Sequence, residues 1–588
     1  MLPVFLCKNS ERPPAPFISL SPRDERWNDF SRNYHADLEV RLADKIEPIR
    51  CRALVMPLDW SDLQKELRFD DWALRQIAKG QSYVQLSETV TEGGKPRFIA
   101  LLDGEAAYRM LAVNIEQQQV RVEILMAIND LVLLSNVAKL SDADRKAILE
   151  TDNFRLGFMR RGSAYQALHR GQRHIWGAGK PLLQDARAPF NFDCTLRGFD
   201  STSHTLSVDY IDTSLLEDRV HCLVGKNGCG KTRLLREMIL TFARMVEGDE
   251  NCFLGNFQTT AEEQADYKGP TFRRVLCFAL DSQATFPSGT RNDARFEYIY
   301  TNLADRDDQT AAESSTASGN LTRLLVDILR NDEPLDDDSN HYVGSRITLL
   351  QKALNPYVGL GTVLIPLLEG APGSYVYQDE NGRSWISAAR LRLLNEKAAL
   401  LAFSYIDFDR TIEFSNENGE RFDLSSGHRV FFKFVISFLS YIDAGTLVIL
   451  DEPETHLHPN LVCDFMNLLY DVLAATKSIA LVATHSAYVI REVPTHCAHV
   501  YLVDDEGRPS ENRVYLRTLG ANIENISQAV FGDSNAKKFH QKIASEMVKL
   551  NRDLDRIISD YSSIMSPDML SQVSRLIEKN NKSENENS

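Results

Sequence analysis

The sequence lacks the features of a membrane, secreted or disulfide-bonded protein. Its 588 residues contain no apolar run that approaches the roughly 18 residues needed to cross a bilayer. The apolar stretch at the start of the chain is too short, and charged too soon, for a signal peptide. The nine cysteines are scattered, without a CxxC pair or a Cys/His cluster at zinc spacing, so neither a disulfide framework nor a structural metal site is expected. We expect a cytoplasmic protein with reduced thiols.

Acidic residues outnumber basic ones, with 82 Asp and Glu against 66 Lys and Arg. The net charge of −16 argues against a protein that binds nucleic acid nonspecifically over its whole surface. A local basic groove remains compatible with this charge, because the residues before position 190 are near balance. No long heptad array is present, which excludes the extended coiled-coil arm of a chromosome-condensing ATPase.

The length predicts two or three domains, because one core does not extend over a chain of this size. We predict a mixed α/β N-terminal domain of unknown role at 1–189, with strands at Cys51–Met56 and Phe98–Leu102 and a helix at Val122–Leu134. A mixed α/β region follows at 190–520, with an insertion around 306–400. A helical C-terminal region at 521–588 is expected to end in a disordered tail, Asn580–Ser588.

A phosphate-binding loop is predicted at 225–232, where GKNGCGKT fits the pattern GxxxxGK[ST]. It follows the apolar run 220–224 and precedes a helical pattern at 233–245. Its glycines allow backbone N–H groups to surround a phosphate at a helix N-terminus. Lys231 is expected to reach the β- and γ-phosphates, and the Thr232 hydroxyl to ligate Mg²⁺. The predicted nucleotide-binding residues are Gly225, Lys226, Asn227, Gly228, Cys229, Gly230, Lys231 and Thr232.

Two carboxylates follow a second apolar strand, Thr446–Leu450. We expect Asp451 to hold Mg²⁺, and Glu452 to orient and deprotonate the water that attacks the γ-phosphate. A strand that happens to end in Asp-Glu before a Pro turn is the alternative. It is disfavoured because the phosphate loop needs such a partner.

Two further candidates lie at strand ends. His485 follows the apolar strand 479–484, at the edge of a parallel sheet where ligands gather, and is predicted to sense the γ-phosphate. Gln283 follows the strand 274–280 and is a candidate for holding Mg²⁺ and the attacking water. A structural histidine and an ordinary surface glutamine are the respective alternatives.

A second anion site is predicted before the apolar helix 429–442. Ser425, Ser426 and Gly427 are the small and hydroxyl residues that suit a helix N-terminus. One triphosphate does not need two such sites in one chain, so we expect this one to meet the γ-phosphate held by another copy. A plain helix cap explains the serines almost equally well.

The segment 155–174 interleaves basic and aromatic residues, which suits a phosphate backbone with stacked bases. A solvated basic face or a contact between domains is the commoner origin of such a run. Its basic members are Arg155, Arg160, Arg161, His169, Arg170, Arg173 and His174.

The order of these motifs resembles the ATP-binding-cassette (ABC) ATPases. DEPETHLHP at 451–459 and ATHS at 483–486 look most like the soluble branch, which includes RecF, the SMC-like repair ATPases, the overcoming-lysogeny-defect nucleases and the ATPases of Septu and retron-associated anti-phage systems. The resemblance covers about 190–520. It implies a two-lobed α/β head at 190–520, with a mixed β-sheet lobe and a helical lobe, that dimerises on ATP. It also implies ATP and Mg²⁺ as ligands. His428 and Ser426 depart from the usual residues of the family at the predicted contact between copies.

The leading hypothesis is an ATPase that senses nucleic acid or phage components and controls a separate effector, such as a nuclease, in anti-phage defence. We expect a homodimer or higher oligomer, with nucleic acid as a further candidate partner and no membrane partner. The alternatives are a repair or recombination ATPase and a chain that is itself the nuclease. A transporter motor is disfavoured by the large additional N-terminal domain.

Overall fold

The chain is a mixed α/β protein whose long apolar runs form buried strands. The structure is a computed structural model. It describes residues 2–8, 11–23, 33–43, 47–78, 80–86, 89–91, 94–137, 140–176, 185–196, 203–211, 217–247, 253–254, 257–258, 264–270, 272, 274–280, 285–287, 290–292, 297–304, 320–330, 335, 344–373, 376–379, 381–416, 418–504, 509–512, 515–531, 539–550, 553–561 and 564–585.

A six-stranded sheet occupies the N-terminal part, in the order β5-β1-β2-β3-β4-β6. The β1–β2 pair is parallel and the other neighbouring pairs are antiparallel. The strands are β1 Val4–Cys7, β2 Phe17–Pro22, β3 His35–Arg41, β4 Ile49–Pro57, β5 Tyr83–Gln85 and β6 Phe98–Leu102. The helices are α1 Phe69–Gln76, α2 Glu105–Asn114, α3 Gln118–Ala127, α4 Leu131–Asn136, α5 Asp142–Leu149, a π-helix Asn153–Phe158, α6 Gly162–Arg170 and α7 Gln172–Ile175.

The strands predicted at 51–56 and 98–102 are confirmed as β4 and β6. The single helix predicted at 122–134 is wrong, because the structure has two helices, α3 and α4. Asn129 adopts a left-handed conformation, with φ of +53°, that ends the first helix. Asp130 then begins the second helix, since its carboxylate accepts a hydrogen bond from the Leu133 N–H at 2.9 Å. An apolar pattern that continues through the break concealed it from the sequence.

The buried carboxyl of Asp130 makes this region sensitive to pH. Burial raises its pKa to about 7, although it accepts a hydrogen bond from the Tyr108 hydroxyl at 2.5 Å. The pKa of an Asp in an unfolded chain is about 3.9. Between that pH and the folded pKa, the folded protein binds more protons than the unfolded chain, so its stability falls as the pH rises through this range. In Asp130→Asn, the amide oxygen can still accept the Leu133 N–H, and the amide NH₂ can donate to the Tyr108 oxygen. The variant should be more stable than the wild type by about 2 kcal/mol at pH 8 and by less at pH 5. Thermal unfolding at both pH values measures this; an equal difference at the two would contradict it.

An eight-stranded sheet forms the centre of the rest of the chain. Of the elements from 190 to 354, the strands β9, β13, β14 and β15 belong to this sheet. The elements are β7 Phe190–Thr195, β8 Ser203–Val208, β9 Val220–Gly225, α8 Lys231–Glu247, β10 Phe253–Leu254, β11 Phe257–Gln258, β12 Gln264–Lys268, β13 Arg274–Ala279, β14 Thr290–Asn292, β15 Glu297–Asn302, α9 Leu321–Arg330 and α10 Arg346–Leu354. The next elements are β16 Val363–Leu367, β17 Tyr377–Gln378, β18 Ser384–Ser387, α11 Ala388–Leu393, α12 Glu396–Ser404 and β19 Glu413–Phe414. The second half has α13 Ser426–Tyr441, β20 Leu447–Asp451, α14 Pro459–Ala475, β21 Ile479–Thr484, α15 Ala487–Ile490, a 3-10 turn Thr495–Cys497, β22 Ala498–Val503 and β23 Pro509–Asn512.

The strand order is β14-β15-β13-β20-β21-β9-β22-β23, and every neighbouring pair from β15 to β22 is parallel. Strand β21 therefore lies between β9, which leads into the predicted phosphate loop, and β20, which leads into the two predicted carboxylates. Parallel strands place their carboxyl ends at one edge. The three motifs that are far apart in sequence consequently meet there.

Three smaller antiparallel sheets are present in the described residues, of which one is the two-stranded pair β10-β11 and the other two pack against this centre. One has the order β12-β7-β8, and its apolar face packs with helix α8 and one face of the central sheet in a common core. The other has the order β17-β18-β16-β19 and shares a core with α13 and α14. Its strands β16, β17 and β18 lie within the predicted insertion, and β19 lies beyond it. The central sheet is thus covered on both faces, as a largely parallel sheet requires.

A buried cluster of charges joins the N-terminal part to the central sheet. Arg274, at the start of β13, lies 2.6 Å from Glu297, 3.3 Å from Asp443 and 3.8 Å from Glu105 of α2. Arg109 of α2 also reaches Asp443, at 3.0 Å. These ion pairs fix α2 against the amino ends of β13 and β15.

The C-terminal part is helical, with α16 Ile523–Phe531, α17 Phe539–Leu550, α18 Leu554–Tyr561 and α19 Pro567–Asn585. Because α19 continues through Asn585, most of the segment predicted to be a disordered tail is helix instead. Among the helices in the described part of the chain, none combines the length and the apolar character of a bilayer-crossing segment.

Candidate nucleotide site

The predicted phosphate loop lies between β9 and α8 and depends on its glycines. Gly228 and Gly230 have φ of +86° and +92°, a left-handed backbone that other residues rarely adopt. A Cβ atom on Gly225 would lie 2.5 Å from the Tyr501 carbonyl oxygen and 2.7 Å from Cys229 Sγ. The loop can therefore pass this closely under β22 only with glycine at position 225.

Lys231 is folded back over its own loop. Its Nζ donates to the carbonyl oxygens of Gly225 at 2.9 Å and Lys226 at 3.3 Å, and the residue is 5% exposed. Both acceptors are neutral, so a phosphate could compete for the ammonium group through a stronger, charge-assisted hydrogen bond. His204 supports the loop from outside, with Nε2 2.9 Å from the Cys229 carbonyl oxygen.

Thr232 and Asp451 meet, although 219 residues separate them. The Thr232 hydroxyl lies 2.9 and 3.0 Å from the two carboxylate oxygens of Asp451. Burial raises the pKa of Asp451 to about 7, and the hydrogen bond from Thr232 opposes that rise. A hydroxyl and a carboxylate side by side are oxygen ligands of the kind that Mg²⁺ prefers. This pair fits the predicted metal site.

Glu452 and His485 form a second pair next to the first. The Glu452 carboxylate lies 3.4 Å from His485 Nδ1, and both side chains are partly exposed. Glu452 has φ of +47°, which is uncommon for a residue with a side chain and is often found at functional positions. Its N–H donates to the Ala483 carbonyl oxygen at 2.8 Å, which holds the turn against the end of β21. The side chains are accessible for chemistry at the carboxyl edge of the sheet.

Glu454 is a site residue that the sequence interpretation missed. Its Oε1 accepts hydrogen bonds from the Thr484 hydroxyl at 2.6 Å and the His485 N–H at 3.0 Å. Its Oε2 is buried and has no hydrogen-bond partner among the residues that the structure describes. Glu454 thus connects the turn after β20 to the end of β21 and positions His485. Its place two residues after Glu452, behind a proline, was the available signal.

The segment around Ser425 caps helix α13. Ser425 Oγ accepts the His428 N–H at 3.4 Å and lies 3.0 Å from His428 Nδ1. Ser426 is exposed. A Cβ atom on Gly427 would lie 2.6 Å from the His456 carbonyl oxygen, so glycine is needed where α13 meets the turn after Glu454. Within the described residues, no hydrogen bond or ion pair joins 424–428 to the phosphate loop.

The basic segment 155–174 is used largely for internal contacts. Arg160 donates to both carboxylate oxygens of Glu396 in the insertion. Arg161 lies 3.7 Å from Asp103, and His174 Nε2 lies 2.9 Å from Glu105. The Arg160–Glu396 pair matches the alternative of a contact between domains, whereas the other two pairs lie within the N-terminal part. The side chains of His169, Arg170 and Arg173 lie outside the described residues, as does the predicted candidate Gln283.

A further group of metal-ligand types lies at the amino end of β9. Ligand atoms of Asp218, His496 and Cys497 are within 4.8 Å of one another in the described part of the chain. Asp218 already accepts hydrogen bonds from His496 Nε2 at 2.6 Å and the Ile211 N–H at 2.7 Å. Burial raises the pKa of the Cys497 thiol, so it favours the neutral form, which ligates metals poorly. These contacts explain the cluster without an ion.

Residues 279–491 match the family described as "AAA domain, putative AbiEii toxin, Type IV TA system". This segment contains the carboxylates after β20 and the histidine after β21, and the phosphate loop precedes it. The chain is also similar to Protein ea59 of Escherichia phage lambda, with 24% identity over 448 residues that cover 75% of each protein.

Several solved structures are similar over part of the chain. The SMC head domain from Thermotoga maritima has 16% identity and a TM-score of 0.21 and covers 56% of this chain and 99% of that chain. MJ1267, an ATP-binding cassette of an ABC transporter, has 14% identity, a TM-score of 0.24 and coverage of 60% and 98%. UvrA2 from Deinococcus radiodurans has 12% identity, a TM-score of 0.25 and coverage of 68% and 43%. None of these TM-scores reaches the level at which a shared overall fold follows.

Proposed function

We propose that this chain binds and hydrolyses ATP and that two copies close around the nucleotide. The observation that carries the proposal is the pairing of Thr232 with Asp451 beside the pairing of Glu452 with His485. A phosphate-binding lysine, two oxygen ligands for a cation and a carboxylate next to an imidazole are the groups that phosphoryl transfer to water requires. All of them lie at one edge of the parallel sheet.

Each side chain has a separate task in this proposal. Lys231 leaves its two carbonyl acceptors and binds the β- and γ-phosphates. Thr232 and Asp451 would hold Mg²⁺, which supplies neutralisation of the phosphate charge. Glu452 accepts the proton of the attacking water, and His485 donates a hydrogen bond toward the γ-phosphate. Glu454 holds the His485 backbone in place through its N–H.

The second copy would contribute the start of α13. Ser425 and Ser426 are exposed there, at the positive end of a helix, and they make no hydrogen bond to the phosphate loop of their own chain within the described residues. Gly427 lets this helix start lie directly against the turn that follows Glu452 and Glu454. Closure of two copies would therefore act on the turn that carries the catalytic carboxylate.

The biological role proposed is control of a separate effector, such as a nuclease, during conflict between phage and host. The family description names a toxin and a TA system, and the curated relative comes from a phage. ATP binding and hydrolysis would switch the dimer between closed and open states and so regulate the effector. Nuclease activity that stays with the purified chain would instead indicate that the chain is the effector.

Three variants test the ATP-dependent dimer. Lys231→Ala should weaken binding of a fluorescent ATP analogue by about 100-fold, because the charged hydrogen bonds to phosphate are lost. Ser426→Glu should bind the analogue nearly as well as the wild type but fail to dimerise, because its charge repels the γ-phosphate held by the partner. Ser426→Thr, which keeps the hydroxyl and adds no charge, is the matched control and should dimerise.

Fluorescence titration measures the affinities, and sedimentation velocity with a non-hydrolysable ATP analogue measures the dimer. Unchanged affinity in Lys231→Ala would contradict the nucleotide site. Normal dimerisation of Ser426→Glu would leave the nucleotide site intact but contradict the contact between copies.

A further inference from the structure

A cavity of 520 Å³ lies where the N-terminal part meets the insertion of the ATPase region. Helix α5, the π-helix and α6 line one side, and the end of α9, the end of α12 and the residues after it line the other. The cavity is separate from the phosphate loop, none of whose residues line it. Its volume is typical of pockets for small organic ligands.

The charged groups around the cavity are mainly cationic. Arg145, Arg155 and Arg330 line it, and Lys146, which also lines it, lies 3.9 Å from the one carboxylate among the lining residues, Glu150. Within the described part of the chain, neither Arg145 nor Arg155 has a side-chain hydrogen bond or an ion pair, and Arg145 Nε is buried. An unpaired buried guanidinium N–H is costly unless an anion or water meets it. The cavity is therefore suited to an anionic ligand.

Its walls are aromatic as well as cationic. The guanidinium of Arg330 stacks on the rings of Tyr165, at 4.5 Å, and Phe403, at 4.9 Å, and also donates to the Met159 carbonyl oxygen at 2.6 Å. These contacts hold a flat cationic surface at the wall of the cavity. Phe154 and Phe408 line it too. Flat aromatic and guanidinium faces are the surfaces on which nucleobases stack.

We propose that this cavity binds a nucleoside monophosphate. The two unpaired arginines would meet the phosphate, and the aromatic rings and the Arg330 plane would receive the base. A mononucleotide combines one anionic group with one planar group at a size that fits 520 Å³. This second nucleotide site is independent of the ATP site proposed above, because a monophosphate lacks the β- and γ-phosphates that Lys231 is placed to bind.

The cavity also gives a role to part of the segment 155–174. Arg160, Arg161 and His174 form pairs with carboxylates. Arg155 and Tyr165 instead line the cavity. The pattern of basic and aromatic residues in that segment thus has two origins. The first is a contact between parts of the chain, and the second is a ligand site. The π-helix that carries Arg155 is an irregularity that often accompanies functional sites.

Isothermal titration calorimetry of the full-length protein with AMP tests the proposal. AMP should bind the wild type with one site per chain, and inorganic phosphate should bind at least about tenfold more weakly because it lacks the stacking group. Arg145→Ala and Arg155→Ala should each weaken AMP binding by about tenfold or more through the lost charge-assisted hydrogen bonds. Lys231→Ala and the exposed-surface control Arg75→Ala should leave AMP affinity unchanged.

ATP-analogue binding by Arg145→Ala and Arg155→Ala, measured in parallel, shows that these variants are folded. No heat of AMP binding to the wild type would overturn the proposal. Loss of AMP binding in Lys231→Ala with retention in Arg145→Ala and Arg155→Ala would also overturn it, because AMP would then occupy the phosphate loop. Equal affinities for AMP and inorganic phosphate would rule out a nucleotide as the ligand class.

Discussion

Glu452→Gln should keep ATP bound while its hydrolysis becomes about 10² to 10⁴ times slower. The amide has the shape of the carboxylate, so the turn after β20 and its hydrogen bond to Ala483 can persist. It cannot accept a proton from water, which removes the proposed general base. The affinity for ATP should stay close to the wild-type value, because Lys231, Thr232 and Asp451 are untouched.

Single-turnover hydrolysis of radiolabelled ATP measures the chemical step, and a filter-binding assay measures the retained nucleotide. Glu524→Gln, an exposed glutamate at the start of α16, is the matched control and should hydrolyse ATP at the wild-type rate. Wild-type hydrolysis by Glu452→Gln would show that the base is another group. Since His485 lies 3.4 Å from Glu452, it would be the next candidate.

Arg274→Ala should lower the free energy of unfolding by about 3 to 5 kcal/mol. Arg274 is 6% exposed and its partner Glu297 is 4% exposed, so the substitution leaves a buried carboxylate without its cation. Asp443 loses a partner as well. Burial opposes ionisation of Asp443, yet the nearby Arg274 and Arg109 guanidinium groups lower its pKa to about 2. Without Arg274, that stabilisation of the charged form weakens.

Urea unfolding followed by intrinsic fluorescence, with limited proteolysis at the junction of the N-terminal part, measures the effect. Arg392→Ala removes an exposed arginine and should change stability by no more than about 0.5 kcal/mol. The double variant Arg274→Met with Glu297→Leu should recover part of the loss, because it removes the buried carboxylate together with the guanidinium group. A single variant as stable as the wild type would mean that water replaces the ion pair.

Local sequence patterns predicted the strands and turns of the nucleotide site because each motif is continuous in the chain. The loop at 225–232 begins helix α8, and Asp451 and His485 stand at or just after the ends of β20 and β21, as expected. The parallel order of β9, β21 and β20 then brings these motifs to one edge. Their catalytic roles remain predictions.

Features that depend on distant pairs could not be predicted in this way. The contact of Glu454 with Thr484, the approach of Gly427 to His456, and the junction around Arg274 each join segments that are brought together by the fold. The cavity beside Arg330 is likewise shared by five separate elements. A single sequence shows the residue types in such places but not their neighbours, so the basic segment at 155–174 could not be divided into ion pairs and ligand contacts.

The buried charges shared by α2, β13 and β15 have a mechanical consequence. A hinge between two parts of a chain requires contacts that separate at a small cost in free energy. Buried ion pairs do not meet this requirement, because separating them leaves charges without their partners. We therefore expect the six-stranded N-terminal sheet to move as one rigid body with β13 and β15.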